Sequence, residues 1–234
     1  MKPEDVAEHT LRCASAIGML LSAHAKLALA SLSRSMSRWN AMHGLTSRGP
    51  MRSTVVPHFC DAASIGTVVV SLIRPALPGR PVTVVDMGSG AGLPGMALGA
   101  MMPWLRVISL EATPDKSVFQ SYMQRKLGLC NLRVLRPTDA SASAMGAEAI
   151  IARAFVPYPC LLRRVCKQGW SGAVITASGS YSFAITAVAA RVFGSRSACA
   201  ARLKVPMVSK RRYVVITSAA GLAVLPQAVQ SGAL

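Results

Sequence analysis

A short apolar stretch, Val82-Thr83-Val84-Val85, leads into Asp86-Met87 and then into Gly88-Ser89-Gly90-Ala91-Gly92-Leu93-Pro94-Gly95. No other segment narrows the possible folds as much. Glycines at alternate positions mark a backbone that takes positive φ or approaches another group with no Cβ in between. A strand feeding such a turn and then a helix opens a parallel α/β sheet, and the following residues repeat the alternation. Strands are predicted over Val82–Val85, Val107–Leu110, Leu132–Leu135, Ala149–Ala152 and Ala173–Thr176. Helices are predicted over Pro94–Met101, from Pro114 to about Leu127, and over Cys160–Lys167. Thr113 is the expected N-cap of the second, with Pro114 at its first position and Gly128 at its left-handed end. Leu203–Val205 and Tyr213–Thr217 are expected to pair antiparallel around Lys210–Arg212, giving a mostly parallel sheet with an antiparallel C-terminal strand.

The first 75 or so residues follow another pattern, helices interrupted near Gly44–Pro50, and Arg74–Pro75 to Pro78-Gly79-Arg80-Pro81 reads as a stiff linker. The expected division is a helical extension over residues 1–75 packed on an α/β domain over residues 76–234. Within the extension, Ile17, Leu20, Leu21, Ala28 and Leu32 recur at spacings of three, four and seven, which predicts an amphipathic helix over Ala16–Leu32. His24, Lys26 and several serines interrupt this run, and no stretch reaches the roughly 18 apolar residues of a membrane span. Lys2, Glu4, Asp5 and Glu8 lack the basic-then-apolar order of a signal peptide, so a cytoplasmic protein without membrane contact is expected, and separately a monomer.

Lysine and arginine number 26 against 9 acids, a formal charge of +17. Such an excess favours a polyanionic partner and makes its binding salt-dependent, which points to nucleic acid. Six cysteines occur without a C-x-x-C pair, and all four histidines (His9, His24, His43, His58) lie in the first quarter. No metal site is expected from these spacings, and the thiols are expected to be reduced and mostly buried.

Two cofactor classes use a glycine loop after a strand. Gly90-Ala91-Gly92-Leu93-Pro94-Gly95 satisfies the dinucleotide spacing G-x-G-x-x-G, but leaves Asp86 and Ser89 between strand and first glycine. The register D-x-G-x-G-x-G from Asp86 to Gly92 fits the strand boundary better, and resembles the S-adenosylmethionine loop of Rossmann-like methyltransferases. Both classes also place an acid at the end of the second strand, where a carboxylate accepts two hydrogen bonds from ribose hydroxyls. Glu111 stands there, 25 positions after Asp86. The candidate cofactor residues are Asp86, Gly88, Gly90, Gly92, Leu93 and Glu111; a dinucleotide remains the alternative.

Further segments resemble one family, the small-subunit rRNA methyltransferase G proteins, also called glucose-inhibited division protein B. Arg38-Trp39-Asn40 followed by Leu45-Thr46-Ser47 resembles its K-W-N…N-L-T-S, and Val56-Pro57-His58-Phe59-Cys60-Asp61 resembles V-R-H-x-x-D-S. Gly88 to Gly95 resembles its G-x-G-x-G-x-P-G, and Ile151-Ala152-Arg153-Ala154-Phe155 its S-R-A-F strand end. Val205-Pro206 and Arg211-Arg212-Tyr213-Val214-Val215-Ile216 resemble V-P…R-H-x-V-V-I. The resemblance implies a Rossmann-like S-adenosylmethionine-dependent methyltransferase acting on N7 of guanine 527 in 16S rRNA, within the small ribosomal subunit. It implies that Gly88 and Leu93 line the cofactor, Glu111 binds its ribose, Thr138 and Asp139 flank the adenine, and Arg153 stands over cofactor and target base.

Guanine N7 has a free lone pair and no proton, so the reaction asks for alignment and electrostatics and for no general base. Arg153 is accordingly expected to position, and Arg38, Arg48, His58 and Arg211 are the candidate RNA contacts. Trp39 reads as a core aromatic. The chain departs from the family pattern at Gly44, Pro57, Pro137 and Ser178. Two alternatives stand beside this reading: the same cofactor with another RNA or a different substrate, and a non-catalytic RNA-binding protein with a degenerate methyltransferase fold.

Overall fold

The computed structural model describes residues 3–16, 19–45, 55–73, 79–137, 145–153, 156–170, 172–178, 198–203 and 212–217. Among the described residues, helices come first: α1 (Pro3–Ala16), α2 (Ala23–His43) and α3 (Val56–Val68), the last continuing into a π-helical turn, Val69–Ile73. Then strands and helices alternate as β1 (Val82–Met87), α4 (Gly95–Met101), β2 (Leu105–Leu110), α5 (Pro114–Lys126), β3 (Leu132–Leu135), β4 (Ala149–Arg153), α6 (Tyr158–Lys167) and β5 (Ala173–Ser178). The chain adds β6 (Ala198–Leu203) and β7 (Arg212–Thr217).

The seven strands form one sheet in the order β3-β2-β1-β4-β5-β7-β6. β1 to β5 are mutually parallel, β7 runs antiparallel to β5, and β6 antiparallel to β7. From β1 the chain moves outward to β2 and β3, then returns to place β4 on β1's other side. The C-terminal ends of β1 and β4 therefore flank the point where strand order reverses, where open α/β sheets bind ligands.

Side-chain alternation sorts the core onto two faces. Val82, Val84, Val107, Ala149, Ile151 and Ile175 share a core with the helices of the extension, α4, and Phe119 and Met123 of α5. Val85, Ile108, Leu110, Ile150, Ala152 and Val174 face the other way, toward α6. That helix offers Tyr158, Leu161, Leu162 and Val165, the spacing of a single apolar stripe. Helix α3 packs close: a Cβ at Gly66 would run into the methyl of Met102.

Several expectations change in detail. The helix expected over Ala16–Leu32 is two helices, because Ser22 caps α2 by accepting the N–H of Ala25 at 3.1 Å. A serine oxygen that satisfies a first-turn donor fixes a helix start there and overrides the longer apolar period. The buried stripe is Ala25, Ala28, Leu29, Leu32 and Met36, whereas Leu20 is 93% exposed. Thr113 begins α5 without a side-chain capping bond, while Gly128 has the left-handed φ of 62°. The antiparallel pair forms, but its first strand ends at Leu203 instead of beginning there. Among the described thiols, Cys13 and Cys60 are buried, Cys166 is half-buried, and Cys130 and Cys160 are exposed, so these are not mostly buried. Among the described residues, no helix is long and apolar enough to cross a membrane.

Candidate active site

At the end of β1 the backbone turns through Gly88, Gly90 and Gly92 with φ of 72°, 59° and 85°, conformations that an L side chain rarely adopts. The N–H groups of Gly88 and Ser89 both donate to the Leu110 carbonyl, at 3.0 and 3.2 Å, pinning the turn to the end of β2. Gly92 and Leu93 donate to Ser89's carbonyl and close the turn. Asp86 lies beneath it, fully buried, with one carboxylate oxygen accepting the Gly95 N–H at 2.7 Å. A Cβ on Gly95 would sit 2.6 Å from that oxygen, so this close approach requires glycine at the head of α4.

A second acid meets the loop from the other side. Glu111, just beyond β2 and buried, accepts the Gly90 N–H at 2.7 Å and the Thr113 N–H at 2.8 Å. Gln120 of α5 completes the frame. It donates to the Ser89 hydroxyl at 2.8 Å and the Gly90 carbonyl at 2.7 Å, and accepts the Ser109 hydroxyl at 2.5 Å. Each contact made by Gln120 is local to a fully buried amide, so the loop's shape is set before anything binds it.

Burial raises the Asp86 carboxyl to about 7; the Gly95 N–H opposes this, the neighbouring Glu111 adds to it, and Arg153 partly offsets it. The second Asp86 oxygen is buried and has no hydrogen-bond partner among the described residues.

Arg153 ends β4, next to β1, where Ile151 is in register with Asp86. Its Nε donates to Asp61 of α3 at 2.9 Å, in a pair whose side chains are 16% and 3% exposed. A helix of the extension thus reaches the reactive edge of the sheet directly. Cys60 of that helix shares a thiol hydrogen bond with Cys13 of α1, which ties α1 to α3 and pushes Cys60 up and Cys13 down.

The glycine loop, Asp86, Leu93, Glu111 and Arg153 therefore converge at the C-terminal ends of β1, β2 and β4. His58 is half-buried on α3, three residues before Asp61, and Arg38 is exposed on α2. Thr138, Asp139, Arg48 and Arg211 lie outside the described residues. Trp39 is half-buried and bridges α2 to α5, with ring centroids 5.2 Å from Phe119 and 5.8 Å from Tyr122. Sequence reasoning missed Gln120 as a loop-holding residue and Asp61 as the partner of Arg153. A glutamine on the same helix face as Phe119 and Met123 was the available signal for the first.

The family model for the rRNA small subunit methyltransferase G proteins matches residues 26–177, which include Asp61, the glycine loop, Glu111, Gln120 and Arg153. The chain belongs to the rRNA small subunit methyltransferase G family. Among its relatives, the protein of that name from Bordetella avium is 29% identical over 65% of this chain and 68% of its own length. The one from Burkholderia vietnamiensis is 30% identical over 77% of this chain and 78% of its own. Among solved structures, the N-terminal domain of human METTL16 in complex with SAH aligns with TM-score 0.55 at 12% identity, covering 82% of both chains. A human methyltransferase 10 domain containing protein gives TM-score 0.56 at 12% identity, over 82% of this chain and 96% of that one. The chain thus carries the Rossmann-like sheet of S-adenosylmethionine-dependent methyltransferases, with its buried acids at the C-terminal edge of the parallel strands.

Proposed function

We propose that this chain transfers a methyl group from S-adenosylmethionine to N7 of guanine 527 in 16S rRNA. The observation that carries the reading is the pair of buried carboxylates, Asp86 and Glu111, set against a glycine loop at the sheet's switch point. These residues fit the cofactor. Space is open where a Cβ of Gly90 would stand, Glu111 is an acceptor suited to ribose hydroxyls, and Asp86 keeps one oxygen without a partner among the described residues. Two carboxylates also suit a ligand carrying a sulfonium and an ammonium, in a chain otherwise strongly basic.

S-adenosylmethionine supplies an electrophilic methyl group when bound. The chain's own part is placement. Gly88, Gly90, Gly92 and Leu93 form the bed of the site, Asp86 and Glu111 attract and orient its positive and hydroxyl groups, and Thr138 and Asp139 are assigned to the adenine. Arg153, held by Asp61, positions the target base. N7 needs no deprotonation, so these residues supply alignment within a preorganised field, an effect worth several kcal/mol when the geometry is rigid. A base in folded RNA must first be splayed out of its stack, and Arg38, Arg48, His58 and Arg211 are assigned to holding the strand while that happens.

Calorimetric titration with S-adenosylhomocysteine, with NADH as comparison, tests the cofactor. The former alone is expected to bind. Binding of neither, with salt-sensitive RNA binding retained, would support a non-catalytic RNA-binding protein instead.

A further inference from the structure

Helix α5 divides its exposed surface into two stripes. Tyr122 and Lys126, four apart, turn toward α2, where Lys126 reaches the Ser35 hydroxyl at 3.1 Å and lies 5.5 Å above the Tyr122 ring. Ser117, Ser121 and Arg125, also four apart, turn the other way. They form one wall of a groove of about 400 Å³, whose other wall is Val134, Leu135 and Arg136 at the end of β3. β3 is the edge strand of the sheet, so the groove runs along an open border.

We propose that this groove seats the phosphodiester backbone of the RNA substrate, an inference that rests on the reading of RNA as substrate. The groove has an arginine on each wall, the Ser121 hydroxyl, and no acid among its described lining residues, while the Ser117 hydroxyl donates to the Pro114 carbonyl at 2.9 Å. Guanidinium groups hold phosphate oxygens in pairs, and a small hydroxyl such as that of Ser121 can add to the shell without steric cost. A phosphate placed here lies beside the reactive edge, because the carbonyl of Leu135 accepts the N–H of Glu111 at 3.1 Å. The adjoining stripe continues the track. It carries Lys126, an exposed cation beside Tyr122, which is 38% exposed and stacked on Trp39 at 27°. In sequence, Arg136 stands two positions before Thr138, the first residue assigned to the adenine.

The test measures binding of an unmodified 16S rRNA fragment by fluorescence anisotropy between 50 and 300 mM salt, roughly the span over which counterion release is resolved. The full-length chain is compared with Arg125→Ala/Arg136→Ala and with Arg163→Ala/Lys167→Ala, which removes the same charge from exposed positions on α6. The groove variant is expected to bind about tenfold more weakly, with the log–log salt slope reduced by about 1.4 to 1.8, as for two lost phosphate contacts. The α6 variant should keep the wild-type slope, and Arg125→Lys/Arg136→Lys should recover most of the slope. S-adenosylhomocysteine affinity should be equal in all four. Equal slopes for the two alanine pairs would overturn the groove assignment while leaving RNA as the substrate. Wild-type protein that binds S-adenosylhomocysteine but not RNA would overturn the substrate reading and the groove with it. Displacement of RNA by poly-glutamate at equal charge concentration would assign the groove to an acidic protein partner and overturn the proposal.

Discussion

Gln120 shows how one buried side chain can fix the shape of the glycine loop. Its amide joins β2 to the glycine turn through three hydrogen bonds, all in a fully buried setting. Replacing it with methionine, similar in length but unable to hydrogen-bond, leaves Ser109, Ser89 and the Gly90 carbonyl without that partner. Gln120→Met is expected to lower stability by about 2 to 3 kcal/mol in urea denaturation and to weaken cofactor binding. Asp86 gives a prediction in pH. Its folded-state value, raised to about 7, lies above the ordinary carboxylate value, so folding favours the protonated form. This contribution is complete below the unfolded value near roughly 4, and is lost as pH rises toward 7. Between pH 5 and 7.5 wild-type protein should therefore lose more unfolding free energy than Asp86→Asn, and parallel curves would contradict the assignment. The loop, Asp86 and Glu111 were legible in the sequence because each lies at a predicted strand end. Gln120 and Asp61 were not, because their partners lie 31 and 92 positions away and only the folded sheet joins them.

Among the elements, the parallel strands were the most legible, since strands buried on both faces read as short continuous apolar runs. Their ends were less so. β1 extends through Asp86 and Met87 because both pair with β2, a backbone property that polarity at position 86 conceals. β2 begins at Leu105, before the exposed Arg106 that hides its start. The extension's break near Ser22 was missed because an apolar period continues across it. What the sequence could not convey is that α3 carries Asp61 to the end of β4. This contact makes the extension part of the site's construction. Asp61→Ala would leave the Arg153 guanidinium with its charge-pair partner removed in a setting only 16% exposed, and should cost about 3 kcal/mol in denaturant titration. On the base-positioning role proposed for Arg153, methyl transfer should then fall more than cofactor affinity. An equal loss of both would mean that Asp61 supports the fold alone.

Across the whole molecule, charge is separated by depth. The chain has a formal charge of +17, yet Asp61, Asp86 and Glu111, the buried acids among the described residues, gather at one edge of the sheet. The basic groups Arg38, Arg125, Lys126 and Arg136 are exposed. A cationic cofactor and a polyanionic substrate ask for this division: acids within the crevice, bases around it. Net charge announced the substrate's sign from the sequence, but the inner acidic patch appears only once three elements distant in sequence are brought together. The most direct test of the account is methyl transfer itself. Purified protein is incubated with labelled S-adenosylmethionine and small subunits from a strain lacking the modification, and the product is mapped by mass spectrometry of RNA fragments. One methyl group per subunit, on N7 of guanine 527, is the expected product. Label at a different nucleotide, or no label despite bound cofactor, would contradict it.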